Sequence, residues 1–240
     1  MTPELQLSIN KLYEVFARYP GNPNMEGSPL IKHLEEWNRR LFSKPLNQLS
    51  SDDLDGFSSR AMTTWGEVND YKHFLPRILE LSALYDGPID ISWTFDKLDY
   101  GKWDMWSENE KDVIQEYLLT FWVAILKDST KNAEWLFVEY FYVCARYYSN
   151  FSEILRTWEM DTSKTAIKHL ADFIFNGSAF LFSHKNNNQE LINWLLSDKV
   201  LNKLTTAFYQ YEQEPLGERI SWAEKILTDE KKAAGKKNDH

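Results

Sequence analysis

Glycine and proline are scarce in this chain, with 9 and 8 residues in 240. Together they fall well below the roughly 12% of an average protein. A turn-rich β-sandwich or a glycine-rich cofactor fold needs more of both, and neither is expected. The chain has one cysteine, Cys144, which excludes an internal disulfide framework and any multi-cysteine zinc site. Basic residues are outnumbered, with 27 Lys and Arg against 36 Asp and Glu, for a formal net charge of −9. A general nucleic-acid binder shows a basic field, so nucleic acid is not an expected partner. Long apolar runs are missing as well. The longest, Tyr117 to Leu126, is half the roughly 20 residues of a membrane span, so no membrane partner is expected. The first residues show neither a basic start nor a continuous apolar stretch, and do not read as a secretory signal. The expectation is a cytoplasmic protein with a reduced Cys144.

What the chain does have is apolar and aromatic bulk, 43% hydrophobic and 15% aromatic with 10 Trp. Its patterning is helical. Leu5, Ile9, Leu12 and Phe16 share a stripe, as do Leu30, Leu34, Trp37 and Leu41, and Ile114, Tyr117, Leu118, Phe121 and Ile125. Ser107 and Glu110 are spaced as a capping box, and Asn150 to Glu153 and Asn187 to Glu190 repeat that logic. Residues 89–106 read as a loop with a turn of helix, because Ile89, Ile91 and Trp93 alternate without a second strand to pair with. The expected fold is all-α. It is one domain over 1–229 with about nine helices, arranged as an irregular antiparallel bundle or a short α-solenoid. From Glu230 onward four lysines stand against two acids, and residues 230–240 read as a disordered charged tail.

The densest chemistry lies between Thr64 and Leu81. On a helix, Asp70, His73, Arg77 and Glu80 fall within an arc of about 80°, opposite Val68, Tyr71, Leu75, Ile78 and Leu79. Pro76 removes one amide, which either kinks the helix or starts a new one. One reading makes Asp70 the orienter of His73, with Arg77 as an anion clamp. The other is a solvated helix face laced by i,i+3 and i,i+4 ion pairs. Trp65 and Gly66 read as a hydrophobic staple and turn.

The string TTWGEVNDYKHFLPRILEL, 19 residues of the 240, resembles the motif of an uncharacterised family of bacterial helical proteins. That family carries a TWG-x-x-x-D-[YF]-KHFLPRI-x-EL signature. The resemblance implies that Trp65, Gly66, Asp70, Lys72, His73, Phe74, Pro76 and Arg77 are marked positions. It brings no activity with it.

Other chemistries find little footing. Only Asp70 and His73 match the Glu/Asp-x-x-His spacing of a carboxylate-bridged metal bundle, so no metal site and no cofactor are expected. Cys144 sits between Val143 and Ala145 as a small core residue, there is no nucleophile elbow or phosphate loop, and no catalytic residue is assigned. The acidic run at Asp52, Asp53 and Asp55 reads as a helix cap. Between Asp96 and Glu116, seven acids and three lysines surround Trp103 and Trp106, with Trp93 just before them. Exposed tryptophan amid acids suits a docking surface for a basic protein partner. The composite expectation is a non-enzymatic, acidic interaction module, for instance one of immunity or anti-toxin type. The alternative is a small enzyme or anion-binding protein built on Asp70, His73 and Arg77. The candidate partner- or ligand-binding residues are Trp65, Asp70, Lys72, His73, Arg77, Trp93, Trp103 and Trp106. The sequence does not fix the oligomeric state.

Overall fold

The computed structural model describes residues 1–182 and 188–238. Among them are twelve α-helices, two single 3₁₀ turns and no strand. The helices are α1 (Pro3–Phe16), α2 (Leu34–Leu41), α3 (Ser51–Arg60), α4 (Val68–Ala83), α5 (Ile91–Tyr100) and α6 (Glu108–Lys127). They continue with α7 (Lys131–Tyr147), α8 (Phe151–Met160), α9 (Lys164–Leu181), α10 (Gln189–Leu195), α11 (Asp198–Tyr211) and α12 (Pro215–Asn238). The all-α class holds, but about nine helices is too few. α5 lies where the sequence reads as a loop with a turn of helix, and the stretch after Asn188 holds two helices, α10 and α11. α5 buries Ile91, Thr94, Phe95 and Leu98, a helical i, i+3, i+4, i+7 set that the alternation of Ile89, Ile91 and Trp93 conceals. The pattern after Asn188 breaks at Ser197, whose side chain accepts from the Val200 amide and opens α11 as a helix of its own. Asn187 lies outside the described residues, and the cap of α10 is Asn188. The last helix runs on to Asn238, through most of the charged tail.

The chain groups into two units, residues 1–124 with 139–149 and residues 125–138 with 150–240, where the sequence reads as one domain. In the first, α4 is buried nearly all round, from Asp70 and Tyr71 to Ser82 and Ala83, and continues through Pro76 as one helix. α1 begins with Pro3 behind the Thr2 cap and contributes Leu5, Ile9, Leu12 and Phe16 to the core. α3 is opened by a reciprocal box between Ser50 and Asp53. The two donors of that box and the nearby Lys44 and Arg40 hold the Asp53 carboxyl far below the usual carboxylate range, against the opposing push of burial.

The second unit centres on Trp158, which is fully buried. It packs edge-on against Phe137 and Phe173, with centroids 5.2 and 5.5 Å away. Its Nε1 donates to the Ala166 carbonyl at 3.1 Å. Lys203 of α11 closes the end of α8, where the last carbonyls have no helical partner. Its ammonium donates to the carbonyls of Trp158, Glu159 (3.2 Å) and Asp161 (2.6 Å). No helix among the described residues is long and apolar enough to cross a membrane.

Lys203 therefore serves as the C-terminal cap of α8. Lys203→Met keeps the aliphatic stem and removes three donors. It is expected to destabilise this unit by about 1–3 kcal/mol, read by urea denaturation, with faster amide exchange at the end of α8.

Candidate functional site

The segment from Thr64 to Leu81 is a helix with a knotted entry. Trp65 is buried and donates from Nε1 to Asn38 Oδ1 at 2.9 Å, while Asn38 Nδ2 donates to the Met25 carbonyl at 2.8 Å. Its ring meets Phe57 and Trp37 edge-on, at 5.5 and 6.4 Å. The Gly66 amide donates to the Glu26 carbonyl at 2.8 Å. Gly66 has φ +68°, and a Cβ there would lie 3.1 Å from Asp70 Oδ2, so only glycine fits. Asp70 accepts from the Glu67 amide at 2.7 Å, the N3 position closing the start of α4. Trp65, Gly66 and Asp70 thus fasten α4 to the loop that carries Met25 and Glu26.

One turn on, Lys72 is 6% exposed and Glu110 is 1% exposed. Lys72 Nζ donates to both Glu110 oxygens at 3.1 Å and to the Tyr19 hydroxyl at 3.0 Å. It lies over the rings of Trp106 and Tyr19, 4.1 and 4.8 Å from their centroids. Glu110 also accepts from the Tyr19 hydroxyl and, at 2.9 Å each, from the amide and hydroxyl of Ser107. The glutamate of the Ser107–Glu110 cap is therefore the counter-ion of a lysine on another helix. Burial alone would raise its pKa; the hydroxyl of Tyr19, the Ser107 donors and Lys72 together hold it below the ordinary value.

Of the remaining polar groups, Arg77 and Glu80 form the i,i+3 ion pair that the spacing suggests, while Asp70 and His73 have separate partners. His73 Nδ1 lies 2.9 Å from the Tyr19 carbonyl, which fixes it as the donor, and its ring stacks on Phe42 with centroids 5.8 Å apart. Asp70 is engaged at the start of the helix and does not orient His73. Arg77 Nε donates to the Leu49 carbonyl at 2.7 Å and Nη1 to Glu80 at 2.7 Å. Glu80 in turn accepts from the Tyr13 hydroxyl at 2.6 Å. Burial and this acceptor push the Tyr13 phenol well above its usual pKa. The arc that the helical wheel turns toward solvent is covered by the Tyr13–Tyr19 stretch and by Leu49.

The three tryptophans of the acidic stretch separate. Trp106 is 7% exposed and forms a wall of the Lys72 box, with its Nε1 donating to the Gly101 carbonyl at 2.9 Å. Trp103 is half-buried and tilts against Tyr147 at 6.3 Å. Trp93 is 59% exposed on α5, near in sequence to Tyr100 at 58% and Met105 at 78%. Five of the seven acids have cations of this chain as partners. Asp96 and Asp99 pair with Arg146, Glu108 with Lys111, Glu110 with Lys72 and Glu116 with Lys11.

A groove of about 860 Å³ lies between α2, α3 and the loop before them, lined by Lys32, Trp37, Asp52, Asp55, Gly56 and Arg60 among others. None of Asp70, His73 and Arg77 lines it. Its signal in the sequence was faint, because Trp37 reads as part of a core stripe and the aspartates as a cap. Among the described residues no group of three or more His, Cys, Asp and Glu side chains is placed to hold a metal ion. No protein-family model, curated protein or solved structure matches the chain.

Lys72→Met leaves the Glu110 carboxylate buried without its cation, and is expected to cost about 3–5 kcal/mol of stability, read by denaturant unfolding at pH 7. Glu110 gives a pH signature. Its folded pKa lies below its unfolded one, so its contribution is complete above about pH 4.3 and fades as pH falls through the depressed folded value. The stability gap between the wild type and Glu110→Gln should therefore be flat from about pH 6 to 8 and shrink below about pH 4. A gap that widens on acidification would contradict this.

Proposed function

We propose that this protein is a non-enzymatic binding module that engages another protein through the outer face of α5 and the turn that follows it. The observation that carries the proposal is the exposure of Trp93, Tyr100 and Met105, three large apolar side chains within thirteen residues of chain. Tryptophan and tyrosine at this exposure are the residue types that dominate binding energy when an interface covers them. The chemistry-bearing residues of α4 support the same reading from the other side. Asp70, Lys72, His73 and Arg77 each hold a partner inside the fold. The alternative, an enzyme or anion site on Asp70, His73 and Arg77, has less support: none of the three lines the groove between α2 and α3, and Asp70 and His73 have separate partners.

A basic partner fits the formal charge of −9, which speeds encounter with a cationic protein. Near the aromatic face, Asp104 and Asp112 form no ion pair among the described residues, so the attraction is long-range field more than local contact. A cytoplasmic immunity or anti-toxin protein that covers a basic effector is the concrete form of this reading.

Affinity-tagged wild type and a Trp93→Ala, Tyr100→Ala variant, recovered side by side from the source cells, test it. The expected result is a basic protein retained at stoichiometric level by the wild type and lost from a variant with an unchanged melting temperature. Equal recovery on both would refute the assignment of this face.

A further inference from the structure

The second unit holds a pocket of about 260 Å³ between the start of α7 and the middle of α9. That is below the roughly 300–1,000 Å³ of a drug-sized site, and suits a single ring. Trp135, Phe137, Val138 and Phe173 give it apolar, largely aromatic walls. Phe137 and Phe173 are buried, whereas Trp135 is 86% exposed and Val138 44%.

His169 also lines this pocket, and it is 2% exposed with only half of its ring satisfied. Its Nε2 lies 3.2 Å from the Asp128 carbonyl. A carbonyl only accepts, so Nε2 carries the proton and Nδ1 is a bare lone pair. No group among the described residues donates to Nδ1. Nor is Nδ1 sealed in the interior, as the unpartnered Ser58 Oγ, Trp194 Nε1 and Arg219 Nη1 are. The opening that reaches it is the pocket that His169 lines. The ring is held there by Phe137, stacked nearly parallel with centroids 4.1 Å apart. Burial disfavours the imidazolium and holds the pKa below its ordinary value, so the neutral ring with a free acceptor prevails.

The charges around the pocket are nearly all spoken for. Lys168 bridges Glu134 at 3.1 Å and Asp172 at 2.8 Å, and Asp172 also meets Arg219 at 3.2 Å. Lys131, exposed at the start of α7, is the one charged lining residue with no ion pair among the described residues. The pocket thus combines a neutral acceptor, flat apolar walls and one unpaired cation.

We infer that this pocket binds a small phenol that carries a carboxylate. The phenol hydroxyl donates to His169 Nδ1, the ring lies against Trp135 and Val138, and the carboxylate meets Lys131. A hydroxyl supplies the donor that Nδ1 lacks without taking a charge into apolar surroundings, as a protonated amine would. The site lies in the second unit and the inference does not depend on the α5 face.

Calorimetric titration of the full chain with 4-hydroxyphenylacetate tests the inference. The wild type should bind it with Kd of about 1 mM or tighter. The methyl ether, 4-methoxyphenylacetate, keeps ring and charge but has no donor, and should bind about tenfold more weakly. Uncharged 4-methylphenol should bind about threefold more weakly, and Lys131→Ala should abolish that difference. Trp135→Ala, with an unchanged melting temperature, should bind the acid about fivefold more weakly. In nitrogen NMR of the wild type, the His169 Nδ1 resonance should move with the hydroxy acid and stay with the methyl ether. No binding of the hydroxy acid by the folded wild type overturns the inference, as does equal affinity for the ether. Tighter binding of the peptide Gly-Ser-Gly-Tyr, which offers both groups at the end of a chain, would overturn the assignment to a free small molecule.

Discussion

The buried pairing of Lys72 with Glu110 is the constraint on which the first unit depends. Taking an ammonium and a carboxylate out of water costs several kcal/mol per ion, and their attraction offsets this only when the remaining hydrogen-bonding capacity is also met. Here it is met from two further stretches of the chain, around Tyr19 and at Trp106–Ser107. Tyr19 donates its hydroxyl to Glu110 and accepts from Lys72, Ser107 closes the other side of the carboxylate, and the Trp106 ring faces the ammonium. The end of the α1 segment, the middle of α4 and the start of α6 must arrive together for any of them to be satisfied. A charged centre that tolerates no partial assembly is a means of specifying one arrangement among many apolar ones.

The same logic extends along α4. Asp70 fixes where the helix begins, His73 binds the carbonyl of the tyrosine whose hydroxyl completes the ion pair, and Arg77 ties Leu49 to Glu80 and through it to Tyr13. Each group is within hydrogen-bond reach of a partner in the fold. A helix that is buried on nearly every side needs such inward polar contacts, because its polar residues have little water to turn to. That arrangement turns the polar groups of the most distinctive stretch of sequence inward. Trp93 and Tyr100 on α5, by contrast, are exposed.

Local features were legible in the sequence, and the contacts between distant segments were not. The Ser107–Glu110 spacing announces a cap, and the Glu110 carboxylate does accept from the Ser107 amide at the start of α6. Nothing in the spacing shows that the same carboxylate faces a lysine 38 residues earlier. The helical wheel separates Asp70, His73, Arg77 and Glu80 from the apolar side correctly. It cannot show that Tyr13, Tyr19 and Leu49 cover that polar side. The three tryptophans between residues 93 and 106 look equivalent in sequence, yet one is exposed, one half-buried and one buried. α5 is concealed in the sequence because two periodicities overlap within four residues, and burial of Phe95 and Leu98 decides between them. In each case the missing information is which segment lies opposite, a property of the whole chain.

A double-mutant cycle across Lys72 and Glu110 tests most directly whether this pair organises the fold. Wild type, Lys72→Met, Glu110→Gln and the double variant are unfolded in urea at pH 7. A coupling energy above about 1.5 kcal/mol, with the double variant less destabilised than the two single variants combined, is the predicted result. Additivity within about 0.5 kcal/mol would contradict the account.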